Sequence, residues 1–246
     1  MMSKDISVET PDPCWAYFDR FYCISIDERA DRRAEARIQF AKVGLADRIE
    51  FVRVRKHPHN CEQGIYESHM SCIRKGLKAG AASMVIFEDD IHFERFNVNG
   101  LKACVEFLSG TKNWNALFFG CLVSASRKTQ NKSVLKIKYR CLAHAYALNR
   151  RFAESLINTS WQGTPFDEIL RNRRDHYYAA YPSFAFQSNS RTDNDRNMGL
   201  DKFRRVFGGL KRIQKWNEFF HRHKFAVIAV HVIVMVIIFI MVFAYL

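Results

Sequence analysis

Glu88, Asp89 and Asp90 stand side by side directly after the apolar run Met84-Val85-Ile86-Phe87, and the chain turns apolar again at Ile91 and Phe93. A buried strand that ends on three adjacent carboxylates concentrates negative charge, which a cation relieves. Glu88 and Asp90 form an acid-x-acid pair, and such hard oxygen ligands suit Mg2+ or Mn2+ bridging two phosphates of a ligand. A second charged segment, residues 27–33, follows another apolar run, and its Arg29, Arg32 and Arg33 carry charge complementary to the same phosphates. Alone, either segment is more often a helix cap or a solvated turn than a ligand site.

The two segments can meet only if the runs before them are neighbouring strands, because ligands of open α/β sheets bind beyond the carboxyl ends of strands. Apolar spacing predicts strands at 21–26, 49–54, 84–87 and 116–119, and helices at 27–43, 65–79 and 98–108, with 57–64 a loop. Strands alternating with helices imply an α/β fold with a largely parallel sheet. Farther on, 134–142 and 146–148 read as extended, 151–157 and 166–171 as helical, and 177–186 as extended around Pro182. Residues 188–197, rich in Asn, Asp, Ser and Arg, read as a loop.

With 246 residues and 48% hydrophobic composition, the chain is long enough for one sizeable core, expected over 21–197 after an extension at 1–20. Seven scattered cysteines without a C-x-x-C pair read as buried thiols in a reducing compartment. Residues 1–15 lack the apolar core of a secretory signal. Residues 225–246 contain no Asp, Glu, Lys or Arg, and about 20 such residues suffice to cross a bilayer as a helix. His221, Arg222, His223 and Lys224 precede this segment, so the positive-inside tendency places the folded domain on the cytoplasmic side of a C-terminal anchor.

Between 198 and 224 the sequence reads as a basic amphipathic helix on the membrane surface, with Phe203, Phe207, Leu210, Ile213, Trp216 and Phe219 at helical spacing. Residues 202–224 hold eight basic residues against Glu218, which is +7 of the formal +13. A basic run abutting an anchor suits anionic lipid better than nucleic acid. A helix packed on its own domain is the alternative.

Four blocks, in order, resemble glycosyltransferase family 25, the lipooligosaccharide galactosyltransferase-like family that includes collagen glycosyltransferases. They are Tyr22 to Arg33, with Ser25-Ile26 where Asn-Leu is usual; Gly64 to Cys72, containing Ser68-His69; Met84 to Phe93; and Ala143 to Leu148, followed by Pro165-Phe166-Asp167 and Tyr181-Pro182. The likeness covers residues 21–195. It implies a GT-A-like fold with a mixed, largely parallel sheet, in which Asp90 is the chief metal ligand and Glu88 or Asp89 contacts the nucleotide or metal. It further implies Arg29, Arg32, Arg33, His69 and His144 in the donor site, and inversion at the anomeric carbon.

On the same resemblance Asp167 is the candidate base, and Asp193 and Asp195 are alternatives for the base or a second metal contact. Asp167 also reads as a helix cap, His69 as a satisfied core residue, and Asp193 and Asp195 as an exposed loop. The expectation is therefore a membrane-tethered hexosyltransferase using Mn2+ or Mg2+ and a nucleotide sugar such as a UDP-hexose, for instance UDP-galactose. Its acceptor is a lipid-linked glycan such as lipooligosaccharide. The competing readings are a tail-anchored adaptor without turnover and a metal-dependent phosphate-processing enzyme.

Overall fold

Phe21 and Cys23 alternate with Tyr22 along one strand, and Val85 and Phe87 alternate with Met84 and Ile86 along its neighbour, so a single sheet acquires two apolar faces. The computed structural model describes residues 13–173, 175–188 and 208–244. In chain order the elements are β1 (Arg20–Ile26), α1 (Ala30–Lys42), β2 (Ile49–Val54), α2 (Cys61–Lys78), β3 (Ser83–Glu88), β4 (Ile91–Phe93) and α3 (Val98–Ser109). Then come β5 (Ala116–Phe118), β6 (Leu122–Lys128), β7 (Val134–Cys141), β8 (Ala145–Asn149), α4 (Arg150–Ile157), α5 (Phe166–Asn172), β9 (Tyr177–Ala180), β10 (Ala185–Gln187) and α6 (Gly209–Ala244).

Eight strands form one sheet in the order β2-β1-β3-β8-β5-β9-β7-β6, and β4 with β10 forms a two-stranded antiparallel ribbon. β1 pairs in parallel with β2 and β3, as β5 does with β9, whereas the ladders of β8 and β7 are antiparallel. Six of the eight strands thus run one way and two against them, a mixed and mostly parallel sheet. One face packs on α1 and α3 through Ala36, Phe40, Leu101, Cys104 and Leu108. The other packs on α2, α4 and α5 through Tyr66, Met70, Ile73, Phe152, Leu156, Phe166 and Leu170. β3, covered on both faces, is apolar until Glu88.

Several boundaries differ from the sequence expectation. The 1–20 extension is part of the fold from Cys14 onward: Trp15 and Phe18 are fully buried, and Trp15 Nε1 donates to the Val43 carbonyl at 2.8 Å. α2 starts inside the expected 57–64 loop, because the Asn60 side chain caps it by accepting from the amides of Glu62 and Gln63 at 3.1 and 3.3 Å. The extended stretch 177–186 divides into β9 and β10, which belong to different sheets. Five cysteines are buried, while Cys61 and Cys141 are half-buried.

The largest difference concerns the helix before the apolar span. Residues 198–207 lie outside the described residues; from Gly209 the chain is helical, with a non-helical His223 (φ −115°, ψ 17°) dividing a docked half from the span. The docked half turns polar groups inward. Gln214 is 1% exposed, while Trp216 and Phe219 are 62% and 53% exposed. The Asn217 side chain holds both backbone groups of Val123, at 2.9 and 3.0 Å, and Lys211 and Lys215 both pair with Glu94. The alternative of a helix packed on its own domain therefore holds for this half, and part of its basic charge is spent within the chain. Beyond it, α6 is long and apolar enough to cross a membrane, and its apolar stretch is not buried against the domain.

Where α6 meets β10 the packing leaves no space. A Cβ on Gly120 would overlap the Ala185 carbonyl oxygen and sit 2.6 Å from Gln214 Nε2. Because one of these neighbours is backbone, Gly120→Ala is expected to cost about 3 kcal/mol, measured as a lower urea midpoint at unchanged m-value.

Candidate functional site

The alternation along β3 continues into the acidic triplet and divides it between two helices. Glu88 faces α2, where its Oε1 lies 3.5 Å from His69 Nε2, and Asp89 faces α1, where its Oδ1 lies 3.5 Å from Arg32 Nη1. His69 is held by Phe166, whose ring stacks on it at 4.2 Å and 4°, and by the Tyr146 hydroxyl 2.9 Å from Nδ1. Burial pushes His69 down to about 4, so the imidazole is neutral near pH 7. Burial, then the negative charges of Asp167 and Asp89, pushes Glu88 up to about 8. The His69–Glu88 contact is thus one between neutral groups at pH 7.

Asp90 is also pushed up to about 8, by burial first and by Glu88 and Asp89 beside it. Asp89 is raised as well: burial outweighs the Ser25 hydroxyl and the Arg32 guanidinium, which favour its charged form. Among the described residues, the buried oxygens Asp89 Oδ2, Asp90 Oδ1 and Gln187 Oε1 have no hydrogen-bond partner. All three are acceptors, and a buried acceptor without a donor costs about 1–3 kcal/mol. This is an environment suited to a cation or to a ligand rich in donors.

The three arginines take different positions. Arg32 reaches the triplet, whereas Arg29 bonds Asp31 at 2.9 Å while its charge is still felt at Asp89. Arg33 is a staple of the β1–α1 turn, donating to Ser25 Oγ at 3.1 Å and to the carbonyls of Ile26 and Asp27 at 2.6 and 2.9 Å. It is therefore engaged with backbone where a phosphate contact was expected. The turn has this need because the first strand hands its last carbonyls directly to a charged helix start.

Asp167 does not cap its own helix. Its carboxylate accepts from the Leu142 and Ala143 amides, both at 3.1 Å, and from the Tyr139 hydroxyl. Three donors on two oxygens fix the turn that leads into His144 and β8. His144 is fully buried, its carbonyl accepts from the Glu88 amide at 2.9 Å, and its ring nitrogens lack hydrogen-bond partners among the described residues. Burial lowers its basicity to about 4, opposed by the nearby backbone of Ala185 and Leu142. Asp193 and Asp195 lie outside the described residues.

Sequence reasoning missed Gln187, whose Nε2 donates to Glu88 Oε2 at 3.2 Å, and Tyr146, which holds His69. Gln187 gave no signal, being a lone amide at the end of a three-residue strand. Tyr146 had one, since Ala145, Ala147 and Leu148 around it on β8 are apolar and a buried phenol requires a partner.

No protein-family model and no curated protein matches the chain. Among solved structures it is similar to A197 from STIV, at 13% identity over 69% of this chain and 85% of that one, TM-score 0.47. It is similar to a glycosyltransferase involved in the glycosylation of the major capsid of PBCV-1, at 9% identity over 65% and 81%, TM-score 0.41. A third is mannose-1-phosphate geranyltransferase from Thermus thermophilus, at 11% identity over 65% of this chain and 59% of that one, TM-score 0.35.

Proposed function

We propose that the chain is a GT-A-like, metal-dependent glycosyltransferase akin to family 25, transferring a hexose from a uridine diphosphate sugar to an acceptor held at a membrane. The observation that carries this reading is the set of buried acceptors on Asp89, Asp90 and Gln187, near the carboxyl end of β3 and Arg32, that lack partners among the described residues. Among the described residues no group of three or more His, Cys, Asp or Glu side chains is disposed to hold a metal ion. A cation here would take one or two carboxylates and complete its shell from ligand phosphates and water, the usual habit of Mg2+.

In this reading Asp90 and Glu88 hold the cation, which when bound offsets charge on the diphosphate leaving group. Arg32 favours the charged form of Asp89 and adds positive charge on the α1 side. His69, neutral and fixed by Phe166 and Tyr146, holds Glu88 in place. With both oxygens of Asp167 engaged by donors, removal of the acceptor proton falls to Asp193 or Asp195. These follow Ser188, whose amide donates to the Asp90 carbonyl at 2.7 Å, by only a few residues. The apolar half of α6 anchors the domain at the cytoplasmic leaflet, so that a lipid-linked glycan is searched in two dimensions.

The test uses the full chain in detergent micelles, with thermal shift and hydrolysis across a panel of nucleotide sugars with and without Mn2+. Metal-dependent stabilisation by one uridine sugar, with turnover once acceptor is added, is the expected result. No response to any nucleotide sugar overturns the reading, and stabilisation without turnover selects the adaptor instead.

The response should also depend on pH. Glu88 and Asp90 stay protonated up to about 8, and each must release its proton to hold a cation. Apparent Mn2+ affinity is therefore expected to rise between pH 6 and 8, by up to about tenfold per unit for each proton released, and to level off above that. The cation-free chain is expected to show the opposite slope. Its raised carboxyls bind more protons folded than unfolded, so stability falls as pH rises from the ordinary carboxyl range to about 8. Titration of the melting temperature with and without Mn2+ at three pH values reads both slopes.

A further inference from the structure

Gln214, buried in the docked half of α6, donates its Nε2 to the Ala185 carbonyl at 2.9 Å. Ala185 opens β10, whose last residue, Gln187, donates to Glu88, and whose successor, Ser188, donates its amide to the Asp90 carbonyl. A turn farther along α6, Glu218 accepts from the Ser183 amide at 2.8 Å and pairs with Arg95 at 3.2 Å. Arg95 returns to the same segment, donating to the Ser183 carbonyl at 2.9 Å and lying over the Phe186 ring at 5.2 Å. Among the described residues β10 has three residues and one partner strand, β4, with the Ala185 amide also donating to the Phe119 carbonyl at 3.2 Å, so little ladder pairing holds it. It is clamped from behind by the helix that leads into the apolar span, and Gly120 leaves the room for that clamp.

We propose that the docked half of α6 is a working part of the acidic site: Gln214 and Glu218 are positioning residues that hold β10 so that Gln187 and Ser188 keep Glu88 and Asp90 in place. What the site binds rests on the nucleotide-sugar reading; the mechanical coupling does not. The contacts form one continuous line from α6 through β10 to the triplet, and each link is a hydrogen bond to a buried or half-buried group. A change in α6 is therefore felt at the carboxylates without touching them.

Hydrogen exchange of the full chain in detergent micelles tests this in three variants. Gln214→Leu removes the donor to Ala185 at similar volume. Glu218→Gln is a milder change on the same clamp, serving if the first fails to fold. Asn217→Leu, on the same helix, releases Val123 of β6 instead and is the control. Gln214→Leu is expected to speed exchange at least tenfold in peptides covering 86–93 and 184–188, while Asn217→Leu speeds it around 122–126 and leaves the acidic segment alone. Equal effects of the two on 86–93, or no effect of either Gln214→Leu or Glu218→Gln there, overturn the coupling.

Ligand affinity gives the second readout. Gln214→Leu and Gln187→Ala are each expected to weaken Mn2+-dependent UDP binding about tenfold, and the double variant to lose much less than the product of the two. Independent, multiplying effects overturn the proposal. A wild-type chain that binds neither Mn2+ nor UDP overturns the nucleotide-sugar reading, and the exchange experiment then decides the coupling by itself.

Discussion

Asp90→Asn is expected to reduce metal-dependent turnover on the order of a thousandfold while making the cation-free protein more stable. The two effects have one cause. Asp90 carries a buried oxygen that has no partner among the described residues, and it is kept protonated up to about 8 by burial and by the acids beside it. Asparagine has nearly the same shape but no charge to desolvate, and we expect a gain of about 1–2 kcal/mol at pH 8. It also removes the anionic oxygen that a divalent cation needs. Release of UDP from a donor sugar, and melting curves with and without Mn2+, measure both sides. Retention of full turnover, or a lower melting temperature without cation, sinks the assignment.

Arg32→Met is expected to destabilise the fold by about 3 kcal/mol, a fall of roughly 6–12 °C in melting temperature for a domain of this size. The side chains of Arg32 and Asp89 are 9% and 8% exposed and lie 3.5 Å apart, so little water can stand in for the lost guanidinium. Arg32 also lowers the cost of charge on Glu88 and Asp90. Adding Asp89→Asn removes the stranded carboxylate, and the double variant should recover more than half of the loss. Equal stability of the single and double variants would show that the pair is not the source of the effect.

What could be read in the sequence was local. β2 lies where apolar alternation places it, at Ile49–Val54, and the acidic triplet follows a strand buried on both faces as the run from Met84 implies. Arg32 was legible as a charge near a strand end, but its separation from Arg33 was not. One turns to Asp89 and the other to the backbone of its own turn, a matter of helix phase relative to the sheet. β6 was missed because Ser124, Arg127 and Lys128 give a polar edge strand without clear alternation. The docked half of α6 was legible only on one side. Its aromatic stripe read as a membrane-surface face, and Trp216 and Phe219 do stay exposed, but nothing in the pattern showed that the domain recruits the amides and carboxylate of Gln214, Asn217 and Glu218 to satisfy backbone groups of β6, β10 and the turn before β10. Which loop ends need such partners is fixed only once the strands are paired.

The Asn217 side chain has a consequence for handling this protein. β6 is the outer strand of the eight-stranded sheet, and the two bonds from Asn217 to Val123, with Ser126 Oγ donating to the His221 carbonyl, close part of its open side. A fragment trimmed at the polar stretch around residue 197 would leave that side bare, ready to pair with another copy and aggregate. Trimming at the His223 kink removes the greasy half of the helix and keeps the seal.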